Sequence, residues 1–392
     1  MSTGADLAGR LLLHPGPGLA PAIHSTRPQG LQRVALGQRA EQLPTLMAAL
    51  HALCAHAHRL AARLAVRAAR GQAGLPTAAE RLALQAGTAR DQILRLAHDW
   101  PRLLPSAEPH AAALAEALRS CPLWRPGTAP TAALAGLPDW LAQQWLGQPV
   151  ADWLAAWAAD PLGWPQRWAQ QQATPLARLL AGQCAAAQAL ATPQRPWLPL
   201  ADAPAADASR ATDAGPLAAF DAALAEWRVE AADPRGGDPS ASRPDTGPWS
   251  RAHDRVAPAA HNAWMRLVSR LVDLLQLARP AGADWLSAGA ASPTAGEGLA
   301  WVETARGLLV YRVGLEADDG SPAGPRLQAL QVLAPTDWNF HPHGVLAEAL
   351  RALPADDSAA ATRLAVAFDP CVAFTVATPA APAAAQPEPQ HA

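Results

Sequence analysis

The chain has 392 residues, half of them hydrophobic, which is enough to bury a large core without help from disulfides. It carries 31 basic residues, all of them arginine, against 33 acidic residues, so its overall charge indicates neither nucleic acid nor an anionic membrane as a partner. The cysteines lie far apart at Cys54, Cys121, Cys184 and Cys371, which is no disulfide framework and fits a reducing compartment.

The start of the chain shows no export signal. Residues 1–10 lack the basic segment followed by an apolar stretch that marks a secretory signal. No uncharged apolar run elsewhere is long enough to cross a membrane, because Pro, Gln or charged residues interrupt the longest ones. We therefore expect a cytoplasmic protein that does not insert into a membrane.

Helical periodicity dominates the first half. Leucine and alanine at three- and four-residue spacing predict a helix over residues 39–70, and similar patterns predict helices over about residues 78–104 and 109–119. Residues 122–200 alternate proline with helical segments rich in tryptophan. The tryptophan pairs 153/157 and 164/168 have i,i+4 spacing, which favours packing in the core over a cofactor platform.

In the second half of the chain the composition and the hydrophobic periodicity change twice. Residues 201–262 are rich in Ala, Asp, Pro and Gly, and are interpreted as a surface excursion or flexible insert. A helix is predicted to begin at Ala263 and end before Pro280. Residues 299–315 then alternate with period two and predict a hairpin around Ala305–Gly307, with a third strand over residues 327–333.

These patterns predict an α+β fold, predominantly α-helical, with a small antiparallel β element near the C-terminal third. The last ordered segment is expected over residues 364–376. Residues 378–392, rich in Ala, Pro and Gln, are expected to form a disordered tail.

A cluster of potential metal ligands lies in the first predicted helix at Cys54, His56 and His58. Residues two apart on a helix point about 200° from each other, so these three side chains cannot all bind one metal there. Cys54 and His58 share a face and can. The ordinary alternative is a buried thiol beside two histidines that hydrogen-bond elsewhere in the protein.

A second candidate is Asp369-Pro370-Cys371 near the C-terminus, where a proline fixes the backbone just before a thiol. A buried cysteine is usually structural, and on this ground Cys121 and Cys184 are assigned to the core. The two motifs are informative only when they are taken together.

Together they resemble the elements that hold the metals in the [NiFe] hydrogenase large subunit, Cys-x-x-Cys-x-x-x-His and Asp-Pro-Cys-x-x-Cys-x-x-His. In the first element Cys54 and His58 stay in register, while His51 stands in place of the leading cysteine. In the second, Cys371 stays in register. Phe374 replaces the second cysteine and Ala377 the histidine, so half of the thiolate set remains.

Segments between these motifs support the resemblance in the family's order. Asp245–Pro248 is similar to its Gly-Pro element, Glu303–Gly307 to its Glu-Ala-Pro-Arg-Gly element, and Pro335–Asn339 to its Thr-x-Trp-Asn element. The degenerate pattern resembles the large-subunit-like accessory family called HupK/HoxV, with which residues 37–58 and 336–344 also agree.

The resemblance implies a single large-subunit-like domain over residues 1–377 and a role in hydrogenase maturation rather than catalysis, so no catalytic residue is assigned. It implies that Cys54 and Cys371 are iron ligands for a transient Fe(CN)2CO fragment. His58 orients them and Arg306 donates hydrogen bonds to cyanide. Nickel is not expected, because soft thiolate ligands hold it and half of them are missing.

The implied partners are the maturation chaperones that carry the iron fragment and the hydrogenase large subunit. The alternative is a structural or interaction subunit without a metal, like the quinone-site subunit of respiratory complex I. Retention of one cysteine in each motif favours the first reading.

For Arg306 the alternative is that it closes a hairpin turn or pairs with Glu303. The sequence leaves open whether the fragment is assembled here or passed on, which hydrogenase is served, the oligomeric state, and whether His51 replaces a ligand.

Overall fold

A computed structural model of the chain describes residues 8–18, 21–28, 30–72, 74–104, 110–193, 244–254, 256, 261–317 and 324–377. Most of the predicted insert and all of the predicted tail lie outside these residues. Within the described parts of the insert, residues 245–251 are mostly buried.

The described helices pack around a common hydrophobic core that runs from Leu11 to Phe368. They are α1 Leu43–Leu50, α2 Ala55–Ala69, α3 Ala78–Leu94, α4 Trp100–Leu103, α5 Ala111–Ser120, α6 Pro130–Ala135, α7 Leu137–Leu141, α8 Val150–Ala159, α9 Trp164–Gln171, α10 Pro175–Gln188, α11 Ala263–Leu277, α12 Pro335–Asn339, α13 Val345–Arg351 and α14 Ser358–Phe368.

The strands form two sheets, one in the order β2-β1-β7 and one in the order β3-β4-β5-β6. The strands are β1 Arg10–Leu13, β2 Ile23–Ser25, β3 Ala288–Ala291, β4 Glu297–Thr304, β5 Gly307–Leu315, β6 Leu327–Leu333 and β7 Ala373–Val376. The predicted hairpin and third strand are confirmed, and every pair in the larger sheet is antiparallel. In the smaller sheet β1 and β7 run parallel, so the two ends of the described chain meet there.

Small residues bring α2 against the larger sheet. Ala57, Ala61 and Ala65 of α2 are fully buried. A Cβ added at Gly298 of β4 would lie 1.9 Å from the Ala65 carbonyl oxygen, so only glycine permits this approach. This packing fixes the start of α2 relative to the turn between β4 and β5.

The helix predicted over residues 39–70 is interrupted. α1 ends at Leu50, His51 is not helical, and a short 3-10 turn over Ala52–Cys54 leads into α2. The rings of His51 and His58 are stacked with centroids 3.9 Å apart. Residues seven apart in a straight helix are separated by about 10.5 Å along the axis, so this stack requires the break. Cys54 consequently stands at the start of a helix instead of within one.

The tryptophan pairs lie in the core, as predicted. Trp153 stacks on Trp157 with centroids 6.3 Å apart and meets Trp168 edge to face at 5.7 Å. Cys121 and Cys184 are also buried. Within the described residues, no helix is both long enough and apolar enough to cross a membrane.

Candidate functional site

The two cysteines of the sequence motifs come together from opposite ends of the chain. Cys54 begins α2, and Cys371 lies between α14 and β7; both are half-buried. Burial raises the pKa of the Cys54 thiol to about 12, the Arg306 guanidinium lowers it, and Cys371 raises it. Cys54 and Cys371 therefore lie close enough to interact electrostatically.

Arg306 occupies the turn between β4 and β5, and its side chain is only 8% exposed. Its backbone N–H donates to Thr304 Oγ1 at 3.1 Å. Gly307 follows at φ 124°, where an added Cβ would meet Thr246 at 2.6 Å, so this position requires glycine. Arg306 therefore lies in the hairpin turn, and its side chain points into the protein.

The guanidinium of Arg306 faces two carboxylates. It lies 3.8 Å from Asp91 and 3.5 Å from Asp369. Burial opposes its charge, but these carboxylates and the two cysteines outweigh that effect and raise the pKa of Arg306. The predicted alternative partner, Glu303, accepts instead from the backbone N–H groups of Ala252 and Ser287.

Asp369, just before Pro370 and Cys371, anchors the C-terminal motif. It is the one non-glycine residue with positive φ, at 57°, in the part of the chain that the structure describes. Its carboxylate pairs with Arg95 and with Arg270, the latter at 2.9 Å. Burial acts to raise the pKa of Asp369, but the guanidiniums of Arg306, Arg95 and Arg270 lower it. The carboxylate thus stays charged and holds the turn that presents Cys371.

The turn that carries Arg306 is hydrogen-bonded to α3 and α11. The Ala305 carbonyl accepts from Gln92 Nε2 and from Arg270 Nη1, each at 3.0 Å. Gln92 also donates to Asp273 at 2.6 Å. These buried bonds fix the position of the turn against both helices.

His58 lies within the protein and is 2% exposed. Its Nδ1 is 2.6 Å from the Tyr311 hydroxyl, and its ring stacks on His51. Burial lowers the pKa of His58 far below the ordinary value, so the ring is neutral. Burial also raises the pKa of Tyr311, with a further contribution from Cys54, which places Tyr311 near that thiol.

His56 takes a different direction from His58 and approaches Asp91. The two side chains are 3.9 Å apart, too far for a direct hydrogen bond. The ring of His56 lies against α3 at Gly87, where an added Cβ would be 2.5 Å from it. Burial lowers the pKa of His56 to about 4 and raises the pKa of Asp91 to about 7.

The outer rim of the site carries a further ion pair. Arg27 donates to Asp337 at 2.6 Å, and these side chains are 23% and 20% exposed. Asp337 raises the pKa of Arg27 most, and Cys371 and Cys54 raise it further, so Arg27 lies near both thiols. Arg27 and Arg306 therefore both place positive charge near the cysteines.

The structure thus brings together all four residues that the sequence singled out, namely Cys54, Cys371, His58 and Arg306. Sequence reasoning missed Arg27, Asp91, Asp369 as an anchor, and Tyr311. Only Asp369 had a local signal, because it belongs to the Asp-Pro-Cys motif. A charged residue in a helix, a loop arginine and a strand tyrosine carry none.

The site offers few potential metal ligands. Among the residues that the structure describes, no group of three or more His, Cys, Asp and Glu side chains is arranged to hold a metal ion. Two thiols remain as soft ligands.

No family model matches the chain, but individual known proteins do. The chain is 33% identical over 393 residues to the hydrogenase expression/formation protein HoxV of Cupriavidus necator, covering 96% of this chain and 97% of that protein. It is 33% identical over 382 residues to HupK of Rhizobium leguminosarum bv. viciae, also named a hydrogenase expression/formation protein, covering 91% of each.

The fold is similar to that of a chain in the structure of an NAD+-reducing [NiFe]-hydrogenase in its H2-reduced state. The TM-score is 0.52 at 16% identity, over 89% of this chain and 91% of that chain. The predicted large-subunit-like α+β fold is thereby confirmed. The chain belongs to the HoxV/HupK family of hydrogenase expression/formation proteins.

Proposed function

We propose that this protein holds the Fe(CN)2CO fragment between Cys54 and Cys371 and delivers it to a hydrogenase large subunit. The iron fragment is cargo in this scheme. The protein itself performs no hydrogen chemistry. The observation that carries the proposal is the meeting of Cys54, Cys371 and Arg306, which come from three distant parts of the sequence.

The charges around the thiols support an electron-rich cargo. Arg95, Arg270 and Arg306 surround the single carboxylate of Asp369, and the nearby Asp91 has its pKa raised to about 7. Among these guanidiniums Arg306 acts on the Cys54 thiol, and Arg27 adds a second positive charge that acts on it. Cyanide nitrogens and thiolates are strong acceptors, and a buried guanidinium is a strong donor to such groups.

The incomplete ligand set supports temporary binding. A resident nickel site in the resembled family needs thiolates at the positions of His51 and Phe374, and Phe374 instead lies in β7, paired with Leu11 of β1. An iron that already carries three diatomic ligands needs fewer protein ligands. Two thiols hold such an iron while leaving it free to be transferred.

The test is infrared spectroscopy of protein isolated without oxygen from cells that contain the whole maturation system. We expect cyanide and carbonyl stretching bands in the unaltered protein, and their joint loss in Cys54→Ala and in Cys371→Ala. Matched controls are Cys121→Ala and Cys184→Ala, which remove buried core thiols and should keep the bands. Absence of bands from every preparation would favour the structural-subunit alternative.

The partners follow from the same proposal. We expect the maturation chaperones that carry the iron fragment, and the immature large subunit, to be recovered with this protein from hydrogenase-expressing cells. We expect the exchange to take place in the cytoplasm. Recovery of the same partners with Cys54→Ala would show that docking does not depend on the cargo.

A further inference from the structure

We infer that Tyr311 is a positioning residue that fixes the tautomer of His58, so that His58 presents an Nε2–H donor and cannot act as a metal ligand through Nε2. The tautomer itself is independent of the proposed function. Only the role of this donor near a metal-binding cysteine rests on that proposal. Tyr311 lies in β5, is fully buried, and is the only tyrosine of the chain. Its hydroxyl is 2.6 Å from His58 Nδ1.

The first step concerns the state of the hydroxyl. Tyr311 is enclosed by protein, and burial keeps its pKa far above the ordinary range. The phenol therefore keeps its proton at neutral pH. A buried hydroxyl proton needs an acceptor, and within the described residues His58 Nδ1 is the hydrogen-bond partner of this hydroxyl.

The second step concerns the direction of the bond. A separation of 2.6 Å lies within the usual range of about 2.5–3.0 Å for hydroxyl donors and below the usual range of about 2.7–3.2 Å for N–H donors. If His58 Nδ1 carried the proton, it would donate to the Tyr311 oxygen, and the hydroxyl proton would have no acceptor among the described residues. Donation from Tyr311 to Nδ1 satisfies both groups.

The third step follows from the chemistry of imidazole. Burial keeps His58 neutral, so the ring carries one proton. With Nδ1 occupied as acceptor, that proton is on Nε2 at the far edge of the ring. The ring is packed on both neighbours: it stacks on His51 and meets the Tyr311 ring edge to face, with centroids 5.8 Å apart.

The consequence concerns the thiols. Cys54 and His58 are four residues apart around the first turn of α2, and Cys54 also contributes to the pKa of Tyr311. A protonated Nε2 has no lone pair to offer a metal, which leaves the cysteine sulfurs as the ligands. His58 is thus excluded as a substitute for the missing ligands, and His51 has no such restraint through Tyr311.

The experiment uses the metal-free full-length protein with 15N-labelled histidine, and two-bond 1H–15N correlation spectra near pH 7. These distinguish a protonated from an unprotonated ring nitrogen. We expect His58, assigned by loss of its signal in His58→Gln, in the Nε2–H form. In Tyr311→Phe we expect a mixture of tautomers or the Nδ1–H form. Val313→Ala, a buried substitution in the same strand, is the matched control and should leave the His58 signal unchanged.

An Nδ1–H tautomer of His58 in the unaltered protein would overturn the inference, and so would an unchanged His58 signal in Tyr311→Phe. If Tyr311→Phe does not fold, the spectrum of the unaltered protein decides alone. Because no iron is present, failure here leaves the proposed function standing. Failure of the infrared test likewise leaves the tautomer result standing.

Discussion

The hydroxyl of Thr336 is bonded twice to Cys371. It accepts from the Cys371 backbone N–H at 3.2 Å and donates to Cys371 Sγ at 3.1 Å. Thr336 belongs to α12, directly beyond the larger sheet, so the thiol of the C-terminal motif is held from a separate element. The direction of the Cys371 side chain is therefore fixed by α12.

Replacing Thr336 by Val keeps its shape and removes both bonds. We expect the free energy of unfolding to fall by about 1–3 kcal/mol, because the Cys371 N–H loses its partner. Chemical denaturation measures the change. Thr336→Ser retains the hydroxyl and should restore most of the stability. Equal losses in the two variants would show that the methyl group, and not the hydroxyl, matters.

Replacing Gly87 by Ala places a Cβ 2.5 Å from the His56 ring. We expect the ring to move outward into water and the pKa of His56 to rise from about 4 toward its ordinary 6.5, because burial is the main cause of the shift. Side-chain NMR titration measures it. Gly182→Ala is the matched control, since that helical glycine has no atom within 4 Å of the added Cβ. The control should leave His56 unchanged and raise helix stability by up to about 1 kcal/mol.

Asp91 gives the protein a distinct pH dependence. Its pKa is raised, mainly by burial, to about 7 from an ordinary 3.8, so between these values the folded protein holds a proton that the unfolded chain has released. The free energy of unfolding contributed by this group therefore falls as pH rises from about 4 to 7. In Asp91→Asn this decline should vanish. At pH 8 the variant should be more stable than the unaltered protein, by at most about 4 kcal/mol.

His56 changes the free energy of unfolding in the opposite direction, over nearly the same pH range. Its folded pKa of about 4 lies below the ordinary 6.5, so the unfolded chain binds the proton more readily and stability rises as pH rises from 4 to 6.5. His56→Gln should remove that rise. Unfolding curves at half-unit pH intervals for both variants separate the two contributions. Buried His51 and His58 add a rise of the same sign, so a His56→Gln curve that climbs as steeply as that of the unaltered protein would contradict the assignment.

Arg306 controls how readily Cys54 loses its proton. Burial raises the pKa of that thiol and the Arg306 guanidinium lowers it, so Arg306→Met should raise the pKa of Cys54 further. Each unit of increase reduces the thiolate fraction about tenfold. Alkylation of Cys54, followed by mass spectrometry against pH, measures the effect. Arg306→Lys keeps the charge and should alkylate faster than Arg306→Met, whereas equal rates would show that the charge has no influence on the thiol.

The protein should bind little nickel and show no hydrogen uptake, because the positions of His51 and Phe374 lack the thiols that the resembled metal site uses. Metal analysis after incubation with nickel and removal of the excess measures this. A double variant with His51→Cys and Phe374→Cys should bind more nickel than the unaltered chain. Equal nickel in both proteins would indicate that these positions do not contribute to a metal site.

The sequence by itself determined the elements whose signal is local. The hairpin around Ala305–Gly307 and the strand over residues 327–333 follow from period-two alternation, and the helix from Ala263 follows from its apolar stripe. The two cysteine motifs were recognisable because each places a thiol at a fixed spacing from a proline or a histidine. Their order along the chain gave the resemblance.

Only the tertiary structure decided what surrounds those motifs. Tyr311 meets His58 across 253 positions of sequence, and within its strand it carries no sign that distinguishes it from a core residue. The break before Cys54 is equally invisible, since the apolar spacing continues through it, and the His51–His58 stack that requires it forms only on folding. Periodicity records which face of an element is buried, whereas the partners of a buried polar group depend on how distant elements pack together.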